Sequence, residues 1–244
     1  MTPTCPVITN GNFNSSLDFL SGVALLVDKP KDWTSFDVVA KLRNGIGKKI
    51  GARKLKVGHA GTLDPLATGL LIICVGKATK QIVGFQGMEK GYEGRIKLGA
   101  TTNTYDDEGE ELNQTDASGV SRADIEEQIQ QFKGLITQTP PIFSAIKVKG
   151  KALYKYARKG ETVEIKTREV TVSEYDIMNY ENPFIDVNIH CSKGTYIRSL
   201  AHDLGQLLQV GAYLAGLRRT FIGEYSVHDA LSLPDIIQSL SDES

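Results

Sequence analysis

The order of periodic segments in this sequence admits an α+β protein. Val23–Val27 and Leu70–Val75 are short continuous apolar runs, the pattern of strands buried on both faces. Residues 91–99 and 185–191 alternate strictly, the pattern of half-exposed strands. Helical segments with their own start signals fall between these strands in irregular order. The three features are compatible with the α+β class without selecting one fold inside it.

Taken in order, residues 1–20 are polar, Asn- and Ser-rich and without period, which predicts a poorly ordered extension before a domain spanning 21–244. After the first strand, Thr34 or Ser35 caps a helix whose apolar face is Val38, Val39, Leu42 and Ile46, with Asp37 near its positive end. In the 91–99 strand, Tyr92, Gly94, Ile96 and Leu98 share one face. Residues 106–118 are acidic and carry Gly, Asn and Ser, which predicts an exposed loop. Ser121 and Asp124 form a capping box for a helix bearing Ile125, Ile129 and Phe132, closed at Gly134. Residues 139–160 read as basic-aromatic surface, with an amphipathic helix after Pro140-Pro141 as the plain alternative. Val170 and Val172 begin a further strand, and Ile185, Val187, Ile189 and Cys191 mark the inner face of the next. Leu200, Leu204, Leu207 and Leu208 line a helix; 217–220 precede a short strand; Ser232-Leu233-Pro234 opens a last helix. No repeat, low-complexity tract or interdomain linker stands out.

A chain of 244 residues, 41% apolar and 23% charged, suits one large soluble domain or two small ones. No apolar run is long enough to span a membrane, and the N-terminus lacks a signal-peptide pattern. Cys5, Cys74 and Cys191 are widely spaced without a C-x-x-C, which fits reduced thiols and a cytoplasmic protein. His59, His190, His202 and His228 show no metal-ligand spacing, and neither a deaminase nor a hydrolase motif is present. Gly69 and Gly76-Lys77 have six residues between the glycines where a P-loop has four, and Ala78 follows the lysine, which excludes a P-loop.

Net charge is −1, yet the charges are not spread evenly. Residues 41–56 hold seven Lys or Arg and no acid; residues 147–168 hold eight against Glu161 and Glu164; the acids gather at 106–127. Phosphates respond to local fields and not to the total. A charge run is commonly only a solvated face, so the pattern permits a polyanionic partner without requiring one. Within this setting lies Val57-Gly58-His59-Ala60-Gly61-Thr62-Leu63-Asp64-Pro65-Leu66-Ala67-Thr68-Gly69-Leu70-Leu71. Asp64 is the only carboxylate between Asp37 and Glu89, and Pro65 forces it out of the helical region. A lone acid on a Gly/Pro loop in a cationic region can serve as nucleophile or general base. A turn aspartate bonding its own loop is the plain alternative.

The stretch from Gly58 to Leu71 resembles the catalytic motif of the TruB-type tRNA pseudouridine synthases. Further blocks resemble the same family: strand, Lys29-Pro30 and Thr34-Ser35; residues 91–106; residues 139–160; and Cys191-Ser192-Lys193-Gly194-Thr195-Tyr196-Ile197-Arg198. Asp32 stands where the family usually has Gly. Together they cover roughly residues 22–240. The resemblance implies the pseudouridine synthase fold, a central and mainly antiparallel sheet flanked by helices with an RNA-binding cleft. It implies isomerisation of uridine to pseudouridine at the T-loop position numbered 55, without cofactor or metal.

Residue by residue, the resemblance makes Asp64 the catalytic carboxylate, Arg198 its partner, and Tyr92 the ring against the target base. Tyr196 and Leu217 complete the pocket, His59 meets the distorted RNA loop, and Lys29 and Lys147 join the substrate-binding set. The neighbourhood of 106–168 becomes an RNA-clasping insertion. The implied partner is the T-arm of tRNA, with no membrane and no obligate protein partner, for a monomer that stops before a C-terminal PUA domain. Two other classes remain: a tRNA-binding or folding module on the same scaffold, and an unrelated metabolic α+β enzyme. The latter lacks a cofactor fingerprint. The former gains little from an acid in a cationic groove, where it would repel phosphate.

Overall fold

The computed structural model describes residues 3–14 and 16–241. They group into two compact units, one made of the described residues up to Tyr92 and from Arg218 onward, the other of Glu93–Leu217, and the chain passes between them inside the strands Lys90–Leu98 and Ala212–Ile222.

In the first unit, the Val23–Lys29 strand runs antiparallel to Thr68–Val75, from Val23 opposite Val75 to Lys29 opposite Gly69. On the other edge of Thr68–Val75, the strand Val57–His59 pairs with its C-terminal half and Arg218 and Arg219 pair with Thr68 and Gly69. Both faces are covered, which is why the sequence reads as unbroken apolar runs. Leu25, Val27, Leu71 and Ile73 pack beneath the helices Ser35–Lys49 and Leu233–Ser241. Ala24, Leu26, Leu70, Ile72 and Cys74 face Phe85, Ile222 and Val227. Thr34 caps the first helix in a reciprocal box with Asp37.

The N-terminal expectation is corrected here. Val7 and Ile8 form a strand parallel to Ala24 and Leu25, Asn10 N–H donates to the Asp229 carbonyl, and Phe19 is 1% exposed in the core. Two or three apolar residues in a polar stretch have no period, yet they are enough to dock it on an open strand edge. Residues 1, 2 and 15 of that expected extension lie outside the described residues.

In the second unit, Arg168–Glu181 forms a hairpin with Phe184–Cys191 and pairs along its start with Gly134–Gln138, both antiparallel. Phe184–Cys191 alternates as expected, with Ile185, Val187, Ile189 and Cys191 buried. The helix Arg122–Ile129 opens on the Ser121–Asp124 box, continues as a 3-10 turn through Phe132, and gives way at Gly134 to a strand. Residues 147–152 form a small hairpin, Lys147–Val148 against Lys151–Ala152, and only Leu153–Ala157 is helical. Lys149 and Gly150 turn it with φ of 50° and 81°, both left-handed as a two-residue hairpin turn demands. Leu217–Thr220 lie inside the strand Ala212–Ile222 instead of preceding one. Leu207 of the helix Ile197–Leu207 is 40% exposed; Leu200, Ala201 and Leu204 form its buried face.

Candidate active site

Asp64 sits on the 60–67 connection between Val57–His59 and Thr68–Val75. Ala60 and Ala67 are fully enclosed and Leu63 and Leu66 are buried, so the loop is pinned on both sides of a half-buried Asp64. Its carbonyls are then held one by one. Buried Arg219 donates from its guanidinium to the Gly61 and Thr62 carbonyls at 3.2 and 3.5 Å, and from Nε to the Leu70 carbonyl at 2.7 Å. Ser35 Oγ donates to the Leu63 carbonyl at 3.0 Å and accepts the Leu63 N–H at 2.8 Å. The Pro65 carbonyl accepts from Asp32 N–H at 2.9 Å and from Lys29 Nζ at 3.3 Å. A carboxylate on a backbone fixed by this many outside bonds is placed before any substrate arrives.

Asp32 has φ 66°, the left-handed conformation that glycine adopts freely and that Asp tolerates better than most residues. Its N–H is thereby turned onto Pro65, so the departure from the family pattern leaves the turn intact. Gly69, at φ 100°, ends the loop where a Cβ would fall 2.3 Å from the Arg219 carbonyl. Only glycine lets these two strands meet there.

Lys29 lies against the same loop. It is fully buried, and its ammonium donates to the Pro30 and Trp33 carbonyls at 2.8 and 2.6 Å as well as to Pro65. Burial pulls its pKa down to about 8, while the charges of Asp64 and Asp32 pull the other way. An enclosed ammonium with three carbonyl acceptors braces the loop and lends Asp64 a positive field. His59 is half-buried, with Nδ1 buried and without a hydrogen-bond partner. Burial lowers its pKa, against a Gly61 backbone bond that raises it, and the Arg219 charge lowers it further. Tyr92 is buried at 7% exposure on Lys90–Leu98, beside Gly91, whose Cβ position is filled by the Phe221 ring.

In the second unit, Arg198 opens the helix Ile197–Leu207 and is 6% exposed. It donates to the Thr104 and Phe143 carbonyls at 2.9 and 3.0 Å and lies 3.3 Å from the Asp106 carboxylate. Asp106 is 1% exposed, which corrects its placement in an exposed acidic loop. It bridges to Leu214, and its carbonyl accepts from Thr102 Oγ1 at 2.8 Å, so only the acids beyond it face water. At the positive start of its helix Arg198 is locally misplaced, and the Asp106 carboxylate beside it offsets that. Tyr196 is half-buried, with its N–H and carbonyl both bonded by the Gln138 amide and its ring 5.2 Å from the Arg168 guanidinium. Leu217 is half-buried, and Lys147 is exposed on its hairpin.

The first unit thus carries Asp64, His59, Lys29 and Tyr92, and the second carries Tyr196, Arg198, Leu217 and Lys147. Lys29 and Asp64 are brought within electrostatic range of one another, and Arg198 is joined to Asp106. Arg219, Ser35 and Asp106 were not singled out from the sequence. Among the described residues, no group of three or more His, Cys, Asp or Glu is placed to hold a metal ion, and no helix is long and apolar enough to cross a membrane.

Comparison with known proteins bears on the family of the chain. Residues 48–197 match the profile described as TruB family pseudouridylate synthase, N-terminal domain, and residues 198–244 match tRNA pseudouridylate synthase B C-terminal domain. The chain is 49% identical over 225 residues to tRNA pseudouridine synthase B of Flavobacterium johnsoniae, covering 91% of this chain and 98% of that one. It is 49% identical over 217 residues to the protein of the same name from Phocaeicola vulgatus, covering 89% and 92%. Among solved structures, a chain of a Cbf5-Nop10-Gar1 complex superposes with a TM-score of 0.69 at 26% identity. That match covers 98% of this chain and 60% of the solved one. With its central loop, both profile matches and its fold in agreement, the chain belongs to the TruB family of pseudouridylate synthases.

Proposed function

We propose that this enzyme isomerises uridine to pseudouridine in the T-loop of tRNA, at the position numbered 55, with Asp64 as the catalytic carboxylate. The observation that carries the proposal is the clamped loop. Arg219, Ser35, Lys29 and the Asp32 N–H each hold a carbonyl within three residues of Asp64, while Asp64 itself stays half-exposed. A binding module has no use for so fixed an acid, which would repel the phosphates it meets.

The target nucleotide is flipped out of the loop, because its glycosidic bond is inaccessible in a stack. Tyr92 packs against the base, Tyr196 and Leu217 bound the pocket, and His59 meets the distorted loop. Lys147 and its basic neighbours hold the T-arm. Arg198 orients Asp64 through charge-assisted hydrogen bonds. The N1–C1′ bond breaks with its electron pair passing to the uracil, the base turns, and C5 bonds to C1′. The C5 proton leaves and N1 gains one, so atoms and electrons balance without oxidant or reductant. Asp64 assists by attacking C1′, by adding to C6 of the base or by removing a ribose proton. The enzyme acts as a cytoplasmic monomer.

The test is incubation of purified protein with an unmodified tRNA transcript and with the same transcript carrying cytidine at the target position, followed by chemical mapping of pseudouridine. One modified site in the first and none in the second is expected. Modification elsewhere, or none in either, contradicts the proposal.

A further inference from the structure

The Ser35–Lys49 helix ends beside an open surface cavity of about 420 Å³ whose lining includes Arg43, Lys48, Arg53 and Lys54. No acid occurs in the sequence between Asp37 and Asp64. Among the described residues none of these four cations is in an ion pair; Arg43 donates only to the Val57 carbonyl, at 3.4 Å. Cations are expected at the negative end of a helix, which accounts for Lys48 and its neighbour Lys49. That explanation stops short of Arg53 and Lys54. The carbonyls of Ile46, Gly47 and Lys48 already accept from the N–H groups of Ile50, Ala52 and Gly51, so the helix end is closed before the chain reaches them. Gly51, at φ 66° with open space where a Cβ would stand, also lines the cavity.

The cavity is also tied to the Asp64 loop. Leu55 is buried, and the strand Val57–His59 leads directly from it into that loop. From Leu55 to Ala60 the extended chain covers at most about 17 Å at ~3.3 Å per residue. Along one strand of a double helix, phosphates recur every few ångströms of rise (about 3.4 Å in DNA), so this reach corresponds to only a few nucleotides.

We propose that this cavity is a phosphate-backbone contact of the RNA substrate. Arg43, Lys48, Arg53 and Lys54 engage phosphates a few nucleotides from the base that reaches Asp64. The inference rests on the proposed tRNA activity and adds a second anchoring point to it, on the unit that carries the catalytic loop. The uncompensated positive charge favours a polyanion. The open shape favours a backbone held at several points over a small anion that must be enclosed to be retained.

The experiment uses the full chain and an unmodified tRNA transcript. Binding is measured across a series of chloride concentrations for wild type, for Arg53→Ala/Lys54→Ala, and for Lys80→Ala, which removes an exposed cation elsewhere. The double variant is expected to bind roughly tenfold more weakly at moderate salt. The slope of log affinity against log salt should fall by about one for each lost phosphate contact. Its kcat at saturating tRNA should stay within about twofold of wild type while KM rises, and Lys80→Ala should match wild type. Replacing chloride by inorganic phosphate at equal ionic strength should change nothing further. The proposal is overturned if the double variant keeps the wild-type slope, if Lys80→Ala loses as much, or if inorganic phosphate alone competes specifically for the cavity. Failure of the functional proposal looks different: wild-type protein itself would leave the uridine unmodified.

Discussion

Arg198 and Asp106 share a buried pair in which each would be costly alone. Replacing Arg198 by Met takes this cation away from the enclosed Asp106 carboxylate, a change worth about 3–5 kcal/mol of stability. Urea unfolding should show it, and Asp106→Asn, which removes the charge but keeps an acceptor, should lose less. Equal losses in the two variants contradict the pairing. Asp203, which the proposed mechanism does not use, gives a pH signature. Burial raises its pKa from the ordinary value to about 6. The folded state therefore holds this proton more tightly than the unfolded chain, and Asp203 disfavours folding increasingly as pH rises from about 4 to about 6. Asp203→Asn should flatten that part of the stability–pH curve and stabilise at pH 7 by on the order of 1 kcal/mol, after discounting for its partial exposure. A variant that is less stable at pH 7 and unchanged at pH 4 contradicts the assignment.

Helix starts were readable because their signals are local: the Thr34–Asp37 and Ser121–Asp124 boxes each join residues three positions apart. The buried strands were readable because both of their faces are covered, which leaves a plain apolar run. What braces Asp64 was not readable. Arg219 reaches the Leu70 carbonyl across 149 positions, and nothing in Leu217-Arg218-Arg219-Thr220 marks one arginine as enclosed. The small hairpin at 147–152 hid for a different reason, since Lys149 carries a left-handed turn that is usually signalled by Asn or Asp. The loop brace makes its own prediction. Ser35→Ala leaves the Leu63 N–H and carbonyl without their partner, costing about 1–3 kcal/mol. It should lower kcat about tenfold or more with little change in tRNA affinity, as expected for a carboxylate let out of position. A variant that loses affinity and keeps kcat contradicts a positioning role for Ser35.

At the scale of the molecule, a net charge of −1 said nothing of use, because positive segments at 41–56 and 147–168 are balanced by acids at 106–127. The family resemblance supplied the fold, which periodicity admitted without selecting. The N-terminal stretch escaped both: polar composition predicted disorder, while Phe19 and the Val7–Ile8 strand dock it onto the first unit. Phe19→Ala should accordingly cost about 3–5 kcal/mol in denaturant unfolding, whereas a loose extension would show no change.

The central claim is that one carboxylate, fixed on a clamped loop, performs the isomerisation. Pseudouridine formation by Asp64→Asn on an unmodified tRNA transcript tests it most directly, read together with the affinity of that variant for the same RNA. The account predicts a fall in turnover of at least about a thousandfold with affinity within about threefold of wild type, the signature of a group that acts in the transition state and not in binding. Turnover within tenfold of wild type would contradict it.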